Sequence, residues 1–210
     1  KMAEEMSKIA VKYARKIGDN QMTGICLSNL GIIQCHIDSS QQAGIDHLQE
    51  AVVLLQKVNN RRRLCEAYSF LANAFVQQGE EERAADYLER LETLTSEMRT
   101  DVEFYRYYRV KGVILQSQGR YAEAISYYQK QVQMLQKGYY DTQDYEVYAD
   151  LSECYHALHQ EAKSRQYLQK AYALRDSTFL EENMSQLSYF SAKYGMKEKE
   201  LMITRLEQAQ

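Results

Sequence analysis

The chain has 210 residues with 9 Gly and no Pro, and its 26 basic and 29 acidic side chains leave a formal net charge of -3. Pro inside a helix costs about 3 kcal/mol and Gly about 1, so their scarcity fits long uninterrupted helices and excludes a turn-rich sheet protein. A nucleic-acid surface needs a basic excess or a long basic stripe, so no nucleic-acid partner is expected of this segment.

The chain opens directly in a helical pattern, with Met2, Met6, Ile9, Ala10, Tyr13, Ala14 and Ile17 on one stripe. It has no initiator Met and no signal-peptide core, and reads as a segment of a longer protein. Its longest compact apolar stretch, Ala51 to Leu55, is far short of the roughly 20 residues of a membrane span.

From there a pattern recurs. Gly31, Ala72, Gly112 and Ser152 are small residues spaced 41, 40 and 40 apart. Each follows Leu27, Tyr68, Tyr108 or Tyr148 by four positions, and Phe75, Leu115 and Tyr155 follow the last three of them. A second small residue comes twelve or thirteen later: Gly44, Ala84, Ala124 and Ser164. A fixed period of this length means helical hairpins stacked on copies of themselves.

The repeats start near Gly24, Cys65, Tyr105 and Tyr145 and cover about 24–60, 65–99, 105–138 and 145–178, after a partial repeat over 1–20. In the first, Asp38, Ser39 and Ser40 form the turn before Gly44, Leu48 and Ala51. Arg61, Arg62 and Arg63 fall in the turn that follows. In the second, Gly79 ends the first helix, and Glu80, Glu81 and Glu82 put acid where the next helix's dipole favours it. The third repeats this with Gly119, Tyr121 and Tyr128. In the fourth, His159 replaces the turn glycine, and Ala162, Leu168 and Ala171 form the inward face of the last helix.

Most of the 18 tyrosines occupy periodic core positions. Tyr105, Tyr107, Tyr139 and Tyr140 lie off that pattern and are left open to an aromatic role. Cys26, Cys35, Cys65 and Cys154 read as free thiols acting as small hydrophobes, a Cys26–Cys65 disulfide being the alternative. His156 and His159 are three apart on a helix, but Cys154 and His156 project to different sides and no second cluster supplies further ligands, so neither a metal nor any cofactor is expected. No phosphate loop, nucleophile elbow or zinc helix occurs, and no catalytic residue is assigned.

These residues resemble the tetratricopeptide repeat family over about 20–178, with an aromatic, a Leu-Gly pair, a Tyr, then Ala and an aromatic in the second helix. The resemblance implies an all-α, right-handed solenoid of helix-turn-helix hairpins that binds a protein or peptide without catalysis. Its period here is 40 or 41 where the family standard is 34, and the closing Pro is missing, which predicts helices about one turn longer.

The resemblance also implies a concave groove lined by the first helix of each hairpin. Carried over, it presents Ile25, Ser28, Ile32, Cys35 and His36; then Glu66, Ser69, Asn73, Val76 and Gln77; then Arg106, Arg109, Val113, Gln116 and Ser117; then Glu146, Ala149, Glu153, His156 and Ala157. The expected ligand contacts among these are Glu66, Ser69, Asn73, Gln77, Arg106, Arg109, Gln116, Glu146, Glu153 and His156. Arg106 and Arg109 pair either with a ligand carboxylate or with Glu66, Glu146 or Glu153 across the groove. Members that clamp chaperone tails carry basic residues where Glu146 and Asp150 stand here, which argues against that ligand.

From Phe179 the pattern leaves the repeat, and 179–210 reads as one long amphipathic helix that caps the stack and then projects. The stretch Ala192 to Glu207 resembles the connector of membrane-bound regulators in Bacteroides-type bacteria, where a repeat array outside the cytoplasm feeds a membrane span and a kinase or DNA-binding output. That resemblance implies the periplasmic sensor portion of a bacterial signal-transduction regulator, meeting the membrane only through sequence beyond Gln210, with a homodimer left open. The alternatives are a cytoplasmic scaffold and an intracellular peptide-pheromone receptor.

Overall fold

The computed structural model describes residues 2–37, 40–137 and 144–177. Among them the chain forms α1 (Met2–Ile17), α2 (Asn20–Cys35), α3 (Gln41–Lys57), α4 (Arg61–Gln77), α5 (Glu81–Met98), α6 (Asp101–Ser117), α7 (Tyr121–Gln136) and α8 (Glu146–Ala157), followed by helical backbone over 161–177, here α9. No strand occurs among the described residues. The long projecting helix expected over 179–210 lies outside them, as do Asp38, Ser39, Tyr139 and Tyr140.

Local chemistry sets the starts of several helices. The Asp19 carboxylate accepts from the Met22 amide at 3.0 Å, and the Asn60 side chain accepts from Arg63 N at 3.3 Å, so each satisfies one otherwise orphaned N–H. The first helices of three hairpins therefore begin at Asn20, Arg61 and Asp101, four residues ahead of Gly24, Cys65 and Tyr105. Arg61, Arg62 and Arg63 are corrected by this from a turn to the first turn of α4. There Arg61 pairs with Glu97 at 3.2 Å and Arg63 with Glu66 at 2.6 Å.

Left-handed residues punctuate the chain in two interleaved series. Gly79, Gly119 and His159 sit at φ +74°, +73° and +59° inside hairpins, while Gly18, Asn59 and Arg99 sit at +77°, +51° and +54° between them. Each series follows the repeat period. Glycine adopts this region freely; His159 holds it at a steric cost of about 1–2 kcal/mol.

The helices pair as the period demands: α2 with α3, α4 with α5 and α6 with α7, while α1, α3, α5 and α7 also pack on the helix that follows each of them. Gly31 is where α2 meets α3 most closely, since a Cβ there would lie 2.7 Å from both Gly44 O and Leu48 Cγ. At the equivalent crossing of α6 and α7, a Cβ on Gly112 would lie 2.5 Å from the Tyr128 ring. Ala72 and Ala84 are fully buried in the second hairpin, and in the fourth Ser152 Oγ donates to Ser164 O at 2.9 Å. One geometric requirement, a small residue on each side, is met by different chemistry in each hairpin.

Burial falls into two clusters. The first runs from Val11 through Leu27, Leu48, Leu71, Phe75 and Leu91 to Ile114; the second runs from Leu115 through Tyr128, Val147 and Leu151 to Tyr155. The division passes through α6, with the half-buried Tyr127 touching both sides. Two expectations change. Tyr105 and Tyr107 are buried, because the earlier start of α6 brings both inside the helix and against its neighbours. Ala162 and Leu168 are exposed on α9, whose buried positions are Ser164 and Ala171.

The four cysteines are free, Cys65 and Cys154 buried and the other two half-buried. Burial pushes the Cys35 and Cys65 thiols up to about 11 and the Cys154 thiol up to about 12, so they stay protonated near neutrality. No described helix is long and apolar enough to cross a membrane.

Candidate functional site

The inner surface of the stack carries a groove of about 710 Å³. Its walls come from the first helices of consecutive hairpins: Cys35 and His36 at the end of α2; Glu66, Ser69, Phe70, Asn73, Ala74 and Gln77 from α4; Tyr105, Arg106, Arg109, Val110 and Val113 from α6; and Asp144, Tyr145, Glu146 and Asp150 at the start of α8. Residues four apart on a helix share a face, which is how Glu66, Phe70 and Asn73 or Arg106, Val110 and Val113 reach one side together.

Seven of the expected contacts line this groove: Glu66, Ser69, Asn73, Gln77, Arg106, Arg109 and Glu146. Gln116, Glu153 and His156 are not in its lining. Gln116 donates to Glu153 at 3.0 Å and accepts from the Tyr128 hydroxyl at 2.8 Å, while His156 faces Glu161 across the turn at 3.0 Å. Cys154 is buried and His156 exposed, and among the described residues no group of three or more His, Cys, Asp or Glu side chains could hold a metal ion.

Both arginines are engaged by the protein's own carboxylates. Arg106 lies 3.6 Å from Glu66 and 4.0 Å from the buried Glu103. Arg109 bonds Glu146 and lies 3.5 Å from Asp144 and 4.0 Å from Asp150. Burial works against its charged guanidinium, and Asp144, Asp150 and Glu146 outweigh that, so its pKa lies above the ordinary value.

Asp144 is the hub. Its Oδ2 accepts from the Tyr105 hydroxyl, from Arg109 and from Gln131 Nε2 at 3.3 Å, and its Oδ1 accepts from the Glu146 amide at 3.1 Å. Three helices are joined at that one carboxylate. Asp150 is less well served: its Oδ2 is buried with no hydrogen-bond partner among the described residues. Burial pushes its carboxyl up to about 7, with Glu153, Glu146 and Asp144 adding to the effect and Arg109 opposing it. Asp144 and Asp150 were not among the expected ligand contacts. The signal that could have found them was charge: Asp144, Glu146 and Asp150 cluster at a helix start opposite an Arg one repeat earlier.

Such a site, an open groove along paired helices of an all-α right-handed solenoid, defines a repeat array that works through its surface. Models of the family described as tetratricopeptide repeat match residues 106–177 and 67–100, and the chain belongs to that family. Its repeats are typically non-enzymatic scaffolds for protein partners. Among solved structures it is similar to BtubC (BKLC) from P. vanneervenii, at 19% identity and TM-score 0.61, covering 84% of this chain and 73% of that one. It is also similar to a putative kinesin light chain of Podosopora anserina with nearly identical TPR-like repeats, at 16% identity and TM-score 0.54, covering 83% and 86%. At these identities the likeness is one of fold. No curated protein matches the chain.

Proposed function

We propose that the groove on α4, α6 and α8 holds an extended segment of a protein partner. The observation that supports this most directly is the groove itself: one open surface, contributed by four successive hairpins, with polar side chains at helical spacing along it. A peptide array probed with the 210-residue chain tests it. Capture of peptides by the parent chain, lost in Asn73→Arg with the helical content unchanged by circular dichroism, is the expected result. Capture that persists in Asn73→Arg would place binding elsewhere.

The context we propose is the ligand-receiving portion of a bacterial signalling protein outside the cytoplasm. Its support is the sequence resemblance over Ala192 to Glu207. The parent gene, read on both sides of these residues, tests it: a membrane span followed by kinase or DNA-binding sequence is expected, and flanks without either would refute it.

A further inference from the structure

The groove carries more negative charge than its own arginines neutralise. Four carboxylates line it, Glu66, Asp144, Glu146 and Asp150, against the two guanidinium groups of Arg106 and Arg109. The surplus is concentrated at the α8 end, where Asp144, Glu146 and Asp150 all crowd one cation among the described residues, Arg109. Glu66, at the other end, shares its carboxylate between Arg63 and Arg106. Asp150 Oδ2 is buried with no hydrogen-bond partner among the described residues, and Arg109, 4.0 Å away, is shared with Asp144 and Glu146. Glu146 and Asp150 are four apart on α8 and so present their carboxylates on one face. Beside them in the lining, the half-buried Val113 of α6 offers an apolar surface on which a long aliphatic stem can lie while its charged end reaches the acids.

We infer that the α8 end of the groove selects a partner segment bearing a basic side chain, arginine or lysine, whose cation seats between Glu146 and Asp150 beside Arg109. This deepens, and rests on, the reading of the groove as a protein-binding surface. With a second cation in place, three carboxylates face two positive groups, and Asp150 can ionise without facing its acidic neighbours alone. A partner offering an acidic side chain or a free carboxylate at the same place would meet Asp144 and Glu146 as like charges and be rejected.

The test is a positional-scanning array of nine-residue peptides, one position fixed at a time, probed with the full chain. The expected result is enrichment of Arg or Lys at one position. Replacing that residue by Gln or Met should weaken binding about ten-fold, the scale of one lost charge-assisted contact. Glu146→Gln and Asp150→Asn should each weaken the parent peptide similarly while leaving the Gln peptide unaffected, with melting curves showing both variants folded. Groove-dependent capture with no basic preference, or with an acidic one, overturns this inference and leaves the protein-binding reading standing. No capture, or capture indifferent to Asn73→Arg, overturns both.

Discussion

The two sides of α6 are built differently. Toward the N-terminus, α4 and α6 lie backbone against backbone, and one continuous apolar cluster runs from Val11 to Ile114. Toward the C-terminus, α8 stands off from α6, and the two inner helices are linked through side chains: Arg109 to Glu146, Arg109 to Asp144, and Gln116 to Glu153. The second apolar cluster is smaller and belongs to α6, α7 and α8. In a solenoid each unit is stabilised by its neighbours, so two stacking interfaces with different chemistry need not share one stability. The lesson is that an array of like hairpins can still contain a joint, and that here the groove's charged end sits on it.

Emptying each cluster in turn has the largest expected effect. Leu71→Ala and Leu151→Ala each remove a fully buried side chain, at a cost of about 2–5 kcal/mol. Hydrogen exchange should then show Leu151→Ala losing protection in α7 and α8 while α2 to α5 keep theirs. Uniform loss of protection in both variants would mean one cooperative unit, and the joint would vanish as a thermodynamic feature.

Removing the hub comes next. Asp144→Ala leaves the Tyr105 hydroxyl, Arg109 and Gln131 without their shared acceptor and should cost about 1–3 kcal/mol in chemical denaturation. An unchanged midpoint would show that the side-chain links between α6 and α8 contribute nothing.

A smaller effect should come from the turns. His159 holds φ +59° where Gly79 and Gly119 serve the preceding hairpins, so His159→Gly should stabilise the last hairpin by up to about 1 kcal/mol. A loss of stability would mean that the histidine side chain itself supports the turn.

A last effect changes with pH. Asp150 keeps its proton in the fold up to about pH 7 against an ordinary value of 3.8. Between those values the native state binds more protons than the unfolded chain, so this residue makes stability fall as pH rises through that window. Asp150→Asn cannot ionise. Its melting temperature should exceed the parent's at pH 8, and the gap should close toward pH 4. A gap independent of pH would mean that Asp150 is ionised throughout.

The fold was legible because its determinants are small residues at fixed spacing. Gly31, Ala72, Gly112 and Ser152 mark the close crossings whatever surrounds them, and the turn positions Gly79 and Gly119 declare themselves by residue type. Helix starts were less legible. Asn60 caps α4 through a local side-chain bond, and a run of three arginines after it looks like a loop until the dipoles and partners such as Glu97 and Glu66 are seen. Groove positions near the centre of α4 and α6 followed from the family resemblance, since those helices pack regularly. At α8 the same carry-over placed Glu153 and His156 in the groove, but that helix stands off from α6 and the lining ends at Asp150. Asp144 lies before the helix begins, outside any periodic template, and only its four donors reveal what it does.

The joint at α6 also has a mechanical side. Pulled from its two ends, this chain is expected to yield first between α6 and α8, whose inner faces are linked through polar side chains and not backbone against backbone, because such links are short-ranged and rupture over small extensions. A force spectrum with an early, low rupture before the main unfolding events is the corresponding signature. The groove's acidic corner would then come apart under a load that the remaining helices withstand, so that tension alone could release whatever is held there.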